Sequence, residues 1–283
     1  MKRLSNDPAA AFFDASNPIY RLFAYNVQSL GIHYGFWGKD TKSIHHALLN
    51  ENKEVMALAK IRETSQALDA GCGVGGTAIY IAKHTGAHVV GLSLSARQIA
   101  SAKRNAIRHS VADRTEFLVG TYMHIPAPDQ TYDAVYGIES VCYAQPLEQF
   151  LREAYRVLKP GGRLVIADGY RTRDPQNEQE ERLYRRFLYG YGLEHVGSAA
   201  EMTRQLERTG FTGVSEINRL AAVTPSVRHF AAKARLLMPM AAALRRAHPV
   251  FTAAYRNGVA ATSAYQTIQN GAADYAIHVA HKR

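Results

Sequence analysis

The sequence predicts an α/β fold built on an open, doubly wound, mostly parallel sheet. Three observations carry this. Short apolar runs alternate with amphipathic segments from residue 66 to about 169, the pattern of parallel strands joined by crossover helices. A glycine-rich turn, Leu68 to Gly76, stands where the first run meets the first amphipathic segment. Lys159-Pro160-Gly161-Gly162 then ends one helix and starts the next strand within four residues.

Taken in order, residues 8 to 60 read as a helical cover with aromatic residues at Phe12, Phe13, Tyr20, Phe23 and Tyr25, interrupted by a glycine-aromatic stretch from Gly31 to Gly38. The apolar runs Ala67 to Asp69, His88 to Leu92, Glu116 to Val119, Ala134 to Tyr136 and Arg163 to Asp168 are five expected strands. A helical section from about 174 to 209 leads to a sixth strand within Gly210 to Leu220. A helical insertion of about fifty residues, punctuated by Pro225, Pro239 and Pro249, precedes a seventh strand at Asp274 to Ala280. The expected organisation is a cover at 1–60 and a core at 61–283. Lid insertions fall at about 171–205 and 222–270, with the active site beneath them.

With 283 residues, 47% of them hydrophobic, the chain buries a large core and is not disordered as a whole. No apolar run reaches the length of a membrane span, and the N-terminus lacks a secretory pattern, so the expectation is a cytoplasmic protein with no transmembrane segment. Cys72 and Cys142 make neither a disulfide framework nor a zinc set, and no His, Asp or Glu cluster has metal-ligand spacing. The net charge of +10 invites a nucleic-acid partner, but the basic residues are scattered and no RNA-binding module is appended. Arg182, Arg185 and Arg186 follow Glu178, Glu180 and Glu181, which reads as a solvated helix or, alternatively, as a grip on an anionic substrate group.

Gly71, Gly73 and Gly76 formally satisfy the dinucleotide fingerprint, so the cofactor has to be decided by charge. A dinucleotide places its pyrophosphate at the helix N-terminus, and Asp69 would put a carboxylate close to that anion. The stretch from Val89 to Ser95 also lacks the acid a nicotinamide dinucleotide wants. A ligand carrying an ammonium and a sulfonium turns Asp69 into an attractive partner. S-adenosylmethionine is such a ligand.

These residues resemble the class I S-adenosylmethionine-dependent methyltransferases over about residues 31 to 283. His33-Tyr34-Gly35-Phe36-Trp37, the Asp69 to Gly76 loop, Gly91-Leu92-Ser93-Leu94-Ser95 with Gln98, and Leu158 to Gly162 are similar to the sterol, tocopherol and cyclopropane-fatty-acid group. The resemblance implies a seven-stranded Rossmann-like core. It places Asp69, Gly71, Cys72 and Gly73 by the methionine half of the cofactor, with Tyr34 near its carboxylate or sulfonium. Ser93 stands where many relatives carry a ribose-binding acid, which passes that role to Gln98 beside Leu94. Thr121 and Tyr122 replace an adenine-binding Gly-Asp, and Tyr122 serves either the adenine or the core. Ile138 and Glu139 follow the fourth strand, at the expected methyl position.

Methyl transfer from a sulfonium is an in-line displacement, so the residues sought are those that align, exclude water and handle a proton. Glu139 is the leading catalytic candidate, as base or as stabiliser of positive charge. Tyr20, Tyr143, Tyr184, Phe187, Tyr189 and Tyr191 with Phe23 offer ring faces to a carbocation or simply pack. His195 is the base an oxygen or nitrogen methyltransferase would use, or a solvated histidine. The expectation is carbon methylation of an apolar isoprenoid alkene. Oxygen or nitrogen methylation of a secondary metabolite, and a cyclase retaining the cofactor, remain open. The N-terminal aromatic segment either covers its own pocket or packs on a second subunit.

Overall fold

In the computed structural model, which describes residues 14–15 and 29–283, seven strands form one sheet in the order β3-β2-β1-β4-β5-β7-β6. The strands are β1 (Gln66–Ala70), β2 (His88–Ser93), β3 (Thr115–Val119), β4 (Tyr132–Ile138), β5 (Leu158–Arg171), β6 (Thr212–Asn218) and β7 (Ala273–His281). β1 to β5 pair in parallel, and β7 runs antiparallel between β5 and β6. The order reverses at β1, so β1 and β4 open a crevice at their carboxyl ends, which is where such sheets bind ligands.

The helices that accompany the strands from residue 29 onward are α1 (Ile44–Leu58), α2 (Gly76–Thr85), α3 (Ala96–Arg108), α4 (Leu147–Val157), α5 (Glu178–Tyr191), α6 (Ala199–Thr209), α7 (Leu220–Leu244) and α8 (Pro249–Gln269), with a short 3-10 turn at Val141–Tyr143. Ser43, Ser95, Asn177 and Ser198 cap α1, α3, α5 and α6 by accepting a hydrogen bond from a backbone N–H of the first turn. The central strands are buried on both faces. Leu68, Val135, Leu164 and Ile277 are completely covered, which explains their near-continuous apolar runs.

Two expectations are corrected, at Lys159 to Gly162 and at the prolines of the insertion. The interruption expected from Gly31 to Gly38 is present and runs over 29–43; Phe36 N–H donates to the Ala47 carbonyl and Trp37 N–H to the Ala222 carbonyl, so the strip lies between α1 and α7. The remaining expected cover helix, with Phe12, Phe13, Tyr20, Phe23 and Tyr25, lies outside the described residues. Lys159 to Gly162 belongs to β5 rather than preceding it: Leu158 already pairs with Tyr132, and the register shifts before Arg163 meets Ala134. Gly161 N–H donates to Lys282, whose own N–H returns to Gly162, so this corner keeps strand-like bonding. Pro225 and Pro239 do not break the insertion but sit inside α7, where Thr224 takes the Leu220 carbonyl near the first.

The section from 174 to 209 divides at Gly192, whose φ of 71° ends α5 in the left-handed conformation. α6 then packs on α4, β6 and β7, whereas α5 packs on α8 and α8 on α7. That three-helix layer touches tightly at Gly190, where an added Cβ would lie 2.6 Å from the Ala260 backbone. Gly190→Val should separate α5 from α8 and lower stability by about 1–3 kcal/mol, the range of an overpacked interior, read as a fall in Tm by calorimetry.

Candidate active site

The glycine loop wraps the carboxyl end of β1. Gly71, Gly73 and Gly75 all take positive φ, at 105°, 53° and 86°. Their surroundings differ. A Cβ on Gly71 would strike Ser140 at 2.5 Å and one on Gly75 would meet Phe117 at 2.9 Å, whereas nothing lies within 4 Å of a Cβ on Gly73. Gly71 and Gly75 are therefore glycines for packing, and Gly73 presents bare backbone to open space.

That space is a cavity lined by Tyr34, Asp69, Gly71, Cys72, Gly73, Ser93, Leu94, Gln98, Tyr122, Ile138, Glu139 and Tyr143. These are twelve of the fifteen residues that the sequence reading singled out. Tyr20 lies outside the described residues. Thr121 is absent from the wall; its Oγ1 accepts from Met123 N–H at 3.1 Å. His195 lines a separate cavity with Ser198 and Arg208, its Nδ1 3.5 Å from the Tyr184 hydroxyl. Of the expected ring faces on α5, Phe187 and Tyr191 reach the cavity, while Tyr189 is half exposed. Arg182 and Arg185 pair with Glu178 and Glu181 one helical turn back, and neither lines the cavity.

Asp69 is 4% exposed, and its Oδ2 accepts from the Tyr136 hydroxyl at 3.2 Å. Burial raises its pKa to about 7 against the hydrogen bonds that lower it, and among the described residues no ion pair to a cation offsets that burial. Keeping it ionised destabilises the fold by about 4 kcal/mol above pH 7, a term absent below its ordinary pKa of 3.8. An ammonium supplied by a ligand relieves this. Ser93 Oγ donates to Gln98 Oε1 at 2.8 Å, so the two residues at the end of β2 form one polar unit in the cavity wall. Tyr122 does two things at once: its hydroxyl donates to the Ser140 carbonyl at 2.7 Å, and its ring meets Phe150 edge-on.

Glu139 directly follows β4 with a φ of 47°, an uncommon conformation for a residue with a side chain. Its Oε1 accepts from Tyr34 N–H at 2.8 Å and from the Tyr275 hydroxyl at 3.2 Å. The same hydroxyl lies 2.8 Å from Glu51 Oε1, and Glu51 Oε2 faces His33 Nδ1 at 2.5 Å and accepts from Gly35 N–H at 3.0 Å. Glu51 and Tyr275 thus join the site from α1 and β7, and no local motif marks either one. Burial, then the charge of Glu51, holds the Glu139 carboxyl well above the usual carboxylate range. Asp168 completes the acidic floor, accepting from Cys142 N–H and Gly169 N–H at 2.8 and 2.9 Å, with burial raising its pKa to about 6.

Beyond this floor the wall carries the apolar side chains Ile138, Phe187, Leu193, Leu220, Val223, Val227 and Ile268, with Thr267 and Asp274 among them. Among the described residues no three His, Cys, Asp or Glu side chains are grouped to hold a metal ion.

A doubly wound sheet of this order, with a glycine cradle and a buried acid at β1, defines the class I methyltransferase fold. Residues 68–166 match a family described as a methyltransferase domain, and the chain has the fold of the class I methyltransferases. Its sequence is 32% identical over 197 residues to sterol 24-C-methyltransferase erg-4 of Neurospora crassa, covering 66% of this chain and 52% of that one. The chain spans about half the length of that relative. In structure it is similar to the cyclopropane synthase MmaA2 of Mycobacterium tuberculosis, with a TM-score of 0.84, 17% identity and 97% of both chains covered. It is also similar to the geranyl diphosphate C-methyltransferase of Streptomyces coelicolor A3(2), with a TM-score of 0.71, 18% identity, and 96% and 98% covered.

The residues fit S-adenosylmethionine: Gly73 offers backbone without a side chain, Asp69 lacks a cation, and Ser93 with Gln98 offers a polar unit. Because Asp69 titrates near 7 in the free protein and must ionise to meet an ammonium, donor binding should release a proton. Affinity should therefore fall up to tenfold per pH unit below about 7 and level off above it. Titration calorimetry of S-adenosylhomocysteine in buffers of different ionisation enthalpy checks this, and Asp69→Asn should abolish the pH slope.

Proposed function

We propose that this protein methylates carbon on an apolar, alkene-bearing small molecule of the isoprenoid type, with Glu139 holding the positive charge and taking the proton. The observation that carries this reading is a buried acidic floor in the same cavity as the apolar side chains of α5, α7 and α8. The relative in Neurospora crassa is named for carbon methylation of a sterol and the Streptomyces coelicolor neighbour for carbon methylation of geranyl diphosphate, which supports the same substrate class.

S-adenosylmethionine, when bound, supplies an electrophilic methyl group. The protein's own groups then have three tasks. The apolar wall from Ile138 to Ile268 excludes water, so a positive centre developing on the substrate carbon meets no strong nucleophile. Tyr143, Phe187 and Tyr191 present ring faces to that centre; Tyr143 is held by its hydroxyl on the Tyr191 carbonyl at 2.9 Å. Glu139 accepts the proton lost from the neighbouring carbon, restoring the double bond. Its raised pKa makes it a stronger base than an exposed carboxylate, and a nearby positive charge favours its ionised form.

Tyr275 and Glu51 act as positioning residues. The Tyr275 hydroxyl bridges the two carboxylates, and its single proton serves only one of them fully at a time. The helices α5, α7 and α8 contribute Phe187, Val223 and Ile268 to the wall, and we assign them the role of a lid.

Glu139→Gln should lower kcat by about 10²–10⁴-fold, the range of a lost general base. Donor affinity measured by calorimetry should stay within a few-fold. Tyr275→Phe should move the acid limb of the kcat profile while leaving turnover measurable. S-adenosylhomocysteine formed in step with a methylated alkene supports carbon methylation. Its formation with an ether or amine product overturns the carbon reading, and product without S-adenosylhomocysteine overturns methyl transfer altogether.

A further inference from the structure

The charge of +10 is less scattered than a tally of basic residues suggests, because acidic residues are unevenly placed. No Asp or Glu occurs between Glu216 and Asp274, while Arg219, Arg228, Lys233, Arg235, Arg245, Arg246 and Arg256 all fall there. This interval is the α7–α8 hairpin. Its inner end belongs to the cavity, through Val223, Val227 and Ile268, and Arg219 is paired with Glu54. Its outer end does not.

Leu236 is 81% exposed, Met240 54%, Leu237 40% and Leu244 39%. Leu236, Met240 and Leu244 recur every fourth residue with Leu237 alongside, so they form one stripe along α7. Lys233, Arg235, Arg245 and Arg246 are exposed around it. Arg235 and Arg245 lie over the rings of Tyr265 and Tyr255, on the partner helix. An apolar stripe rimmed by cations and free of anions is the pattern of a helix that lies in the headgroup layer of a membrane. α7 does not span one: no helix among the described residues is long and apolar enough to cross.

We propose that the outer end of the α7–α8 hairpin docks on an anionic lipid surface, with Leu236, Leu237, Met240 and Leu244 entering the acyl boundary and the flanking Lys and Arg residues meeting lipid phosphates. Charge selects this occupant over a second copy of the chain. A two-fold contact through the stripe sets each hairpin's cations against the same cations of its mate, with no carboxylate in the interval to answer them. Docked in this way, α7 runs from the bilayer face to the cavity wall, because a helix of 25 residues is about 37 Å long.

Co-sedimentation with vesicles tests the proposal. The intact protein should partition onto phosphatidylcholine vesicles containing phosphatidylglycerol at least tenfold more strongly than onto phosphatidylcholine alone, and should be released by salt. The variant Leu236→Ser with Met240→Ser, and separately Lys233→Glu with Arg245→Glu and Arg246→Glu, should each lose at least tenfold of that binding while keeping the far-UV spectrum and the S-adenosylhomocysteine affinity of the parent. Wild-type protein remaining in the supernatant at low salt overturns the proposal. So does a dimer in sedimentation equilibrium that the Leu236→Ser, Met240→Ser variant dissolves, which would make a second copy the occupant.

Discussion

Uncompensated burial of carboxylates is the constraint around which this structure is arranged. Asp69, Glu139 and Asp168 lie near the carboxyl ends of three adjacent parallel strands, β1, β4 and β5, and each is lifted above its ordinary pKa primarily by loss of water. A sheet built only for stability would not gather three acids at one edge of its crevice without a base to answer them. The arrangement makes sense for a protein whose ligand brings the positive charge, as the ammonium and the sulfonium of S-adenosylmethionine do. Their electrostatic attraction is largest where water is excluded.

The remaining architecture holds those acids apart and in place. Tyr136 is fully buried beneath Asp69, backbone N–H groups of the β4 loop and β5 hold Asp168, and Tyr34 N–H with Tyr275 holds Glu139. The left-handed backbone at Glu139 is strain kept by neighbours on three sides, with Ala167 accepting its N–H at 2.8 Å. Around this floor the helical layer of α5, α7 and α8 supplies apolar wall on one side.

Local sequence disclosed the parts of the site that lie close together in the chain. The Asp69 to Gly76 loop, Ser93 with Gln98, and Glu139 all follow strands whose apolar runs are plain, and all line the cavity. Glu51, by contrast, is a buried acid in a helix that reads as ordinary surface until Tyr275, 224 residues away, donates to it. His195 looked well placed from its position after α5, but the turn at Gly192 carries it to the other cavity. Prolines misled for a physical reason too. Pro225 and Pro239 both lie inside α7, a 25-residue helix that runs on through them, which residue identity alone does not reveal. The hairpin's charge was hidden in the same way, since absence of acid is harder to notice than presence of base.

The position of β7 as the last element in chain order has a consequence for how the site is assembled. Glu51 and Glu139 are bridged by a phenol that the ribosome delivers only after β1 to β6 and both helices of the hairpin have been made. The donor cradle, assembled from β1, β2 and their connections, is synthesised far earlier. A nascent chain can therefore hold the strands of the glycine cradle while still lacking the fastening of Glu139, so the acidic floor is the last part of the cavity to be completed.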